Sequence, residues 1–107
     1  MTPESADALF IDDTHVYSTS EVVRITGLGS ADVAVLVECG AIAPQDPRAP
    51  HWTFAAWSVD VARRARTLRD EFALDDVHTV AVIVRYEQRV RSLERELARM
   101  HARVGSP

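Results

Sequence analysis

The chain has 107 residues, of which 47% are hydrophobic and 26% are charged. This length corresponds to one small domain, and the apolar content is too high for a disordered chain. The 16 acidic residues outnumber the 12 arginines, lysine is absent and the net charge is −4, which argues against a general electrostatic attraction to nucleic acid.

The sequence carries no signal for membrane insertion or secretion. No apolar run approaches the roughly 18 residues that span a bilayer, and residues 1–7 lack the basic and apolar regions of a signal peptide. Cys39 is the only cysteine, which excludes an internal disulfide and favours a reducing compartment. We therefore expect a cytoplasmic protein.

The two parts of the chain differ in charge. Residues 1–60 carry nine acidic residues and two arginines, a net charge of −7, whereas residues 61–107 carry seven acidic residues and ten arginines, a net charge of +3. Three prolines within residues 43–51 disfavour helix and predict a loop there. We interpret residues 1–74 as a head and residues 75–107 as a dimerisation helix with a short tail.

Two short helices joined by a glycine turn are predicted in the head. Ser18 and Glu21 have the spacing of a capping box, which predicts the start of the first helix. Gly27 suits the left-handed residue that ends it. Ser30 can then cap a second helix, which Gly40 closes. The resulting outline is a helix-turn-helix.

Short extended segments are predicted on both sides of these helices. Apolar residues at 9–11 and 16–17 flank a polar turn at 12–14, and the alternation of Trp52 and Phe54 predicts a strand with both rings on one face. We interpret this strand as a small wing.

A third helix is predicted at about residues 55–72. Its apolar residues recur at intervals of three and four, which predicts a face directed at the core. The members of this stripe are Trp57, Val61, Ala65, Leu68 and Phe72. The other face carries Arg63, Arg66 and Asp70, and we interpret the arginines of residues 63–69 as a solvated helix face.

The last helix, capped by Asp75 or Asp76 and extending to about Met100, has the most regular pattern in the chain. Apolar residues alternate at spacings of three and four, as at the a and d positions of a coiled coil. These are Ile83, Tyr86, Val90, Leu93, Leu97, Met100 and Val104. Charged residues flank the seam at e and g, namely Glu87, Arg89, Glu94 and Glu96. A second copy is the expected partner, with a helix folded back on its own domain as the alternative.

A helix-turn-helix makes DNA binding the first hypothesis to examine. A recognition helix presents Arg, Lys, Asn or Gln to base edges. The second predicted helix instead offers Asp32 and Glu38, and no basic residue occurs between Arg24 and Arg48. The phosphate contacts that supply most non-specific affinity are therefore missing, and we expect no DNA binding.

The order of these elements resembles the CbpM family of MerR-like chaperone modulators. The resemblance covers residues 17–100, and its most specific part is the Leu-Arg-x-Glu-x-x-Leu-Asp stretch at residues 68–75. It implies an all-α fold, with a MerR-like winged helix-turn-helix head, a minor β wing and a long C-terminal coiled-coil helix. It also implies a cytoplasmic dimer that binds the J-domain of a CbpA/DnaJ-type co-chaperone and blocks stimulation of a DnaK-type chaperone.

A surface that covers the basic helix of a J-domain needs carboxylates and apolar anchors. The strand, the third helix and the following junction supply both kinds of residue. The candidate J-domain-binding residues are Trp52, Phe54, Trp57, Asp60, Asp70, Glu71, Asp75 and Asp76.

Catalysis has little support in the sequence. The four histidines, His15, His51, His78 and His101, are too widely spaced for a zinc site, and no phosphate-binding glycine pattern is present. We therefore expect a non-enzymatic protein without metal or cofactor. The alternatives are a MerR-like transcriptional regulator and an effector-sensing module with a small-molecule pocket between its helices.

Overall fold

The computed structural model describes residues 14–105. Within this range the chain is mostly helical, as expected for an all-α fold, and it contains one small sheet. The elements in chain order are β1 (Tyr17–Ser18), α1 (Thr19–Thr26), α2 (Ser30–Glu38), β2 (Thr53–Phe54), α3 (Ala56–Glu71) and α4 (Val77–Val104). None of the helices in residues 14–105 combines the length and apolar character needed to cross a bilayer.

The two strands join the start of the head to the segment before α3. They pair in antiparallel fashion, with Tyr17 opposite Phe54 and Ser18 opposite Thr53. Phe54 is fully buried, and the Trp52 ring meets it edge to face with centroids 6.3 Å apart. The predicted extended segments at residues 16–17 and 52–54 are therefore present in part, whereas the segment at residues 9–11 lies outside the described residues.

The predicted capping box begins α1. The Ser18 hydroxyl accepts a hydrogen bond from the Glu21 N–H at 3.1 Å, and the Glu21 carboxylate accepts one from the Ser18 N–H at 3.0 Å. The bond from the Ser18 N–H lowers the pKa of Glu21 because it stabilises the charged carboxylate. The prediction of the helix start at this position is confirmed.

The turn between α1 and α2 depends on Gly27. This residue has a φ of +79° and ends α1 as predicted. The Arg66 guanidinium donates to the Gly27 carbonyl at 2.6 Å and fills the space that a Cβ would occupy. Gly29 precedes α2 as its N-cap, so the prediction that Ser30 caps this helix was wrong by one residue. The Asp32 carboxylate accepts the Gly29 N–H at 3.3 Å, which explains the earlier start.

The core face of α3 differs from the predicted stripe. Trp57 is 50% exposed and Phe72 is 63% exposed, so both ends of the stripe were wrong. Ala65 and Leu68 of the stripe are buried as predicted. The rest of the buried face consists mainly of small side chains, which are Ala56, Ser58, Val59 and Ala62. Small residues let a neighbouring helix approach closely, which leaves the large aromatic rings outside the contact.

The first three turns of α4 are part of the head's hydrophobic core. Asp76 caps this helix by accepting the His78 N–H at 3.0 Å. Val80, Ala81 and Val84 are buried, and the helix packs against both α2 and α3. Further along, Gln88 donates to the Ala41 carbonyl at 3.2 Å. Beyond this contact, nearly every residue of α4 is exposed.

A salt bridge joins α3 to α4. The Arg64 guanidinium donates to Glu87 through Nε (3.0 Å to Oε1) and Nη2 (2.7 Å to Oε2). These hydrogen bonds lower the pKa of Glu87, since they outweigh the opposing effect of its partial burial.

Loss of the α1 cap is expected to destabilise the whole domain. Ser18→Ala removes the acceptor for the Glu21 N–H and should lower the free energy of unfolding by about 1 kcal/mol, as measured by urea denaturation. Ser20→Ala is the matched control, because Ser20 is exposed and lies inside the helix. Equal stabilities for the two variants would contradict the capping role.

The salt bridge between α3 and α4 predicts a pH dependence. Because the folded chain lowers the pKa of Glu87, the pair stabilises the fold above the ordinary glutamate pKa of about 4.3, and this contribution is lost as the pH falls through the lowered value. Glu87→Gln should therefore be less stable than the natural chain at pH 7, with the difference shrinking in acid. Urea denaturation between pH 7 and pH 3 measures this, with Glu38→Gln as the control, because Glu38 is exposed on α2. A difference that does not change with pH would exclude the charged pair as its source.

Candidate functional site

The candidate binding residues divide between the two ends of α3. Trp57 and Asp60 lie in its first turns, a few residues after Trp52 in the sequence, whereas Glu71 is its last residue. At a rise of 1.5 Å per residue, Trp57 and Glu71 are about 21 Å apart along the helix. The predicted residues therefore form two surfaces, which we call the aromatic end (Trp52, Trp57 and Asp60) and the acidic junction (residues 70–76).

At the aromatic end, the three predicted anchors have different environments. Phe54 is fully buried in the core, so its assignment as a binding residue was wrong. Trp52 is half-buried, and its Nε1 donates to the Pro47 carbonyl at 3.3 Å. Trp57 is half-exposed and Asp60 is exposed. Of the three aromatic side chains, Trp57 offers the most accessible ring.

At the acidic junction, the backbone turns sharply between α3 and α4. Ala73 has a φ of +50°, and the Leu74 N–H donates to the Arg69 carbonyl at 3.0 Å to close the helix end. A left-handed conformation costs a residue with a Cβ roughly 1–2 kcal/mol. Leu74 packs against the core on one side of this turn, while Phe72 on the other side is exposed. The turn thus leaves an aromatic ring on the surface.

The carboxylates around Phe72 differ in how far they are neutralised. Asp70 forms a salt bridge with Arg66 at 2.7 Å. Asp76 caps α4, and the hydrogen bond from the His78 N–H lowers its pKa. Glu71 and Asp75 are exposed and form no salt bridge with any residue in the range 14–105. Glu71 also interacts electrostatically with Arg64. The acidic junction therefore combines an exposed apolar ring with two exposed carboxylates that form no salt bridge within the described range.

Phe72 was not among the predicted binding residues, because its spacing placed it on the core face of α3. The residues beside Phe72 in the sequence indicate an exposed position instead. Acidic residues occupy positions 70, 71, 75 and 76 on both sides of it, and charged residues are seldom buried without partners. An aromatic residue flanked in this way is more easily placed on the surface than in the core.

The second helix, α2, which the helix-turn-helix interpretation treats as the recognition helix, contains no basic residue. Its exposed residues include Ala31, Ala34 and Glu38, and Asp32 is paired with Arg69 at 3.0 Å. The arginines of α3 that could reach a phosphate backbone make contacts within the chain: Arg64 with Glu87, Arg66 with Gly27 and Asp70, and Arg69 with Asp32.

The residues assigned to dimerisation lie along α4. Ile83 is half-buried and packs against the head's core. The other five are 45–69% exposed, and they are Tyr86, Val90, Leu93, Leu97 and Met100. Val82, which the heptad pattern did not include, is also 50% exposed and extends this apolar surface toward the head.

The described part of the chain contains no group of three or more His, Cys, Asp or Glu side chains placed to hold a metal ion. His15 lies 3.1 Å from Glu21 and packs edge to face on Tyr17. Its nearest carboxylate therefore belongs to the capping box of α1.

Comparison with known proteins found no protein-family model that matches the chain and no curated protein that matches its sequence.

Phe54 is buried and Phe72 is exposed, so replacing each with alanine should change the free energy of unfolding by different amounts. Phe54→Ala should lower the free energy of unfolding by about 3–5 kcal/mol, because it empties a fully buried site. Phe72→Ala should change it by no more than about 0.5 kcal/mol, because the ring is mostly in water. Thermal and urea denaturation of both variants measure the difference. A large loss of stability in the Phe72 variant would show that this ring supports the fold.

Proposed function

We propose that this chain is a non-enzymatic inhibitor that binds the J-domain of a CbpA/DnaJ-type co-chaperone in the cytoplasm and blocks its stimulation of a DnaK-type chaperone. In this proposal the head is a MerR-like winged helix-turn-helix, and α4 forms a coiled coil with a second copy. The resemblance of residues 17–100 to the CbpM family suggests the partner. The observation that carries the proposal is the exposed Phe72 ring among the carboxylates of the acidic junction.

The chemistry of the acidic junction suits a basic helix. Burial of an exposed phenylalanine ring supplies favourable free energy through the loss of apolar surface from water. The exposed carboxylates of Glu71 and Asp75 attract lysine and arginine side chains, which speeds association and selects the partner. A J-domain whose basic helix is covered in this way can no longer present that helix to its chaperone.

The alternative, a MerR-like DNA-binding regulator, has less support. The exposed residues of α2 are small or acidic, and three arginines of α3 contact carboxylates of this chain. Phosphate binding would require those arginines to give up their present partners. The electrostatic term that dominates non-specific DNA affinity is therefore weak at this surface.

Binding to a recombinant J-domain of a CbpA/DnaJ-type co-chaperone tests the proposal. Glu71→Arg and Phe72→Ala should each weaken the association about tenfold or more in isothermal titration calorimetry, since each removes an exposed contact at the centre of the acidic junction. Glu38→Arg is the matched control on α2 and should leave the affinity within about twofold. Asp70→Arg is less informative, because it also breaks the salt bridge to Arg66.

Two further measurements separate the alternatives. A Trp57→Ala variant that loses binding while the Glu71 and Phe72 variants keep it would move the interface to the aromatic end. The chain should also suppress J-domain-stimulated ATP hydrolysis by the chaperone. Absence of J-domain binding, together with submicromolar, sequence-selective binding to duplex DNA at physiological salt, would reject the proposal in favour of the regulator.

A further inference from the structure

The part of α4 that extends beyond the head carries a row of arginines. They are spaced four residues apart, so they follow one another along the helix, and we call Arg91, Arg95, Arg99 and Arg103 the arginine row. All four are exposed, and none forms a salt bridge with a residue in the range 14–105. Arg91 interacts electrostatically with Glu87. Because like charges at this spacing repel each other, an anionic partner would stabilise the row.

The arginine row continues the face of α4 that packs against the head. Arg91 and Arg95 follow Val84 and Gln88 by seven residues, which is close to two helical turns. Val84 is buried in the core, and Gln88 donates to the Ala41 carbonyl. The start of the row therefore lies in the corner between the head and the protruding helix.

The row begins on a different side of α4 from the exposed apolar residues. By the apolar stripe of α4 we mean Tyr86, Val90, Leu93, Leu97 and Met100, each of which is at least 45% exposed. At 100° per residue, Leu93 points about 160° away from both Arg91 and Arg95 or further. A ligand on the first arginines of the row therefore leaves the stripe open to a second copy.

The first turns of α3 form the other side of this corner. Arg64 of α3 binds Glu87 of α4. Asp60, one turn earlier on α3, lines a small cleft with Arg91, one turn later on α4. The two helices are therefore antiparallel, and the start of α3 lies beside the start of the arginine row.

Trp57 provides an apolar surface in the same corner. It precedes Val61 and Arg64 by four and seven residues, so it lies on the side of α3 that faces α4. In the antiparallel register it is level with about residue 94, next to Arg95. Its ring is 50% exposed. The corner thus combines an accessible aromatic ring with guanidinium groups.

The strand pairing directs the beginning of the chain toward this corner. Tyr17 pairs with Phe54 in antiparallel fashion, and β2 leads into α3 at Ala56. In an antiparallel pair, the residues that precede one strand lie beside those that follow the other. Residues 1–13 therefore join the head at the end of α3 that carries Trp57.

The composition of residues 1–13 complements the corner. The segment contains no basic side chain, apolar residues occupy positions 8–11, and its four carboxylates are those of Glu4, Asp7, Asp12 and Asp13. Their number equals that of the arginines in the row, and a guanidinium can bind a carboxylate through two hydrogen bonds. The nine residues from Glu4 to Asp13 span up to about 30 Å, whereas the row is about 18 Å long. The segment is long enough to follow the whole row.

We propose that residues 1–13 bind the arginine row of their own chain, with the apolar residues 8–11 on Trp57 and the carboxylates on the arginines. The segment is joined to the head beside the row, which gives it a high effective concentration there. A nucleic acid would have to approach against the net charge of −4. The segment therefore neutralises the row and keeps polyanions away from α4.

A spin label measures the contact. In a Cys39→Ala background, a nitroxide attached at Ser5→Cys should remove the NMR amide signals of Arg91 and Arg95. Arg91→Glu together with Arg95→Glu should restore signals from this part of α4, whereas Arg89→Glu, an exposed control on another side of the helix, should not. A label that weakens no signal of the arginine row would overturn the proposal.

Mixed samples distinguish the chain's own segment from that of a second copy. Spin-labelled chain without ¹⁵N is mixed with unlabelled ¹⁵N chain, so that only contacts between copies weaken signals. We expect no loss at the arginine row in this mixture. Loss there equal to that in the singly labelled chain would overturn binding of the segment to its own chain, and it would leave the J-domain proposal standing.

Binding of a heparin fragment tests whether the segment covers the row. Replacing the four carboxylates of residues 1–13 by amides should raise the heparin affinity about tenfold, and Arg91→Glu with Arg95→Glu should remove this gain. The control changes the net charge equally at exposed positions elsewhere, through Glu38→Gln, Asp46→Asn, Glu71→Gln and Asp75→Asn. Equal gains in the two amide variants would overturn the proposal. Tight binding of duplex DNA to the natural chain that Arg91→Glu abolishes would also overturn it, with nucleic acid as the partner of the row.

Discussion

The close packing of α4 against α3 determines which side chains of this protein are left for partners. The two helices pack against each other, and small residues of both belong to the one hydrophobic core, among them Ala62 and Ala65 of α3 and Val80 and Ala81 of α4. Because these side chains are short, the helices approach closely, and the larger rings of Trp57 and Phe72 lie outside the contact. Phe72 of the acidic junction and the apolar stripe of α4 both lie outside this core and are exposed.

Three arginines of α3 connect this helix to other elements of the fold. Arg64 reaches from α3 to α4, Arg69 reaches from α3 to α2, and Arg66 holds the turn at Gly27. A guanidinium offers several donors in one plane and can satisfy two acceptors at once. Three of the ten arginines of residues 61–107 therefore form salt bridges within the molecule, and the surface at the acidic junction carries exposed carboxylates.

The sequence was informative wherever a structure depends on near neighbours along the chain. The capping box of Ser18 and the left-handed Gly27 are set by contacts within a few residues, so their spacing was enough to predict them. The start of α4 was predicted to within one residue, since the sequence offered Asp75 or Asp76 and the cap is Asp76. The face of α3 was a different case. Apolar residues occur on more than one face of this helix, and contacts with residues distant in the chain decide which face is buried. Ser58, for example, is buried and donates to the Ala43 carbonyl at 3.3 Å, whereas Trp57 is exposed.

The same reasoning explains why the candidate site was predicted in part. The charged residues at positions 70–76 were enough to predict an acidic surface there. The exposure of Phe72 was not predicted, because it depends on the turn at Ala73, whose positive φ is not signalled by a glycine in the sequence. Phe54 has the sequence surroundings of a wing residue, yet the strand pairing with Tyr17 buries it. Burial of this kind depends on residues distant in the chain.

Val84 and Tyr86, two residues apart on α4, face opposite directions, one into the head and the other into water. The helix that completes the core is therefore the same rigid rod that carries the apolar stripe. In the proposed dimer, unfolding of the head would also remove the rod on which association depends. Folding and assembly then become linked through mass action, so that dilution alone lowers the midpoint of thermal unfolding while every contact inside the head stays as it is.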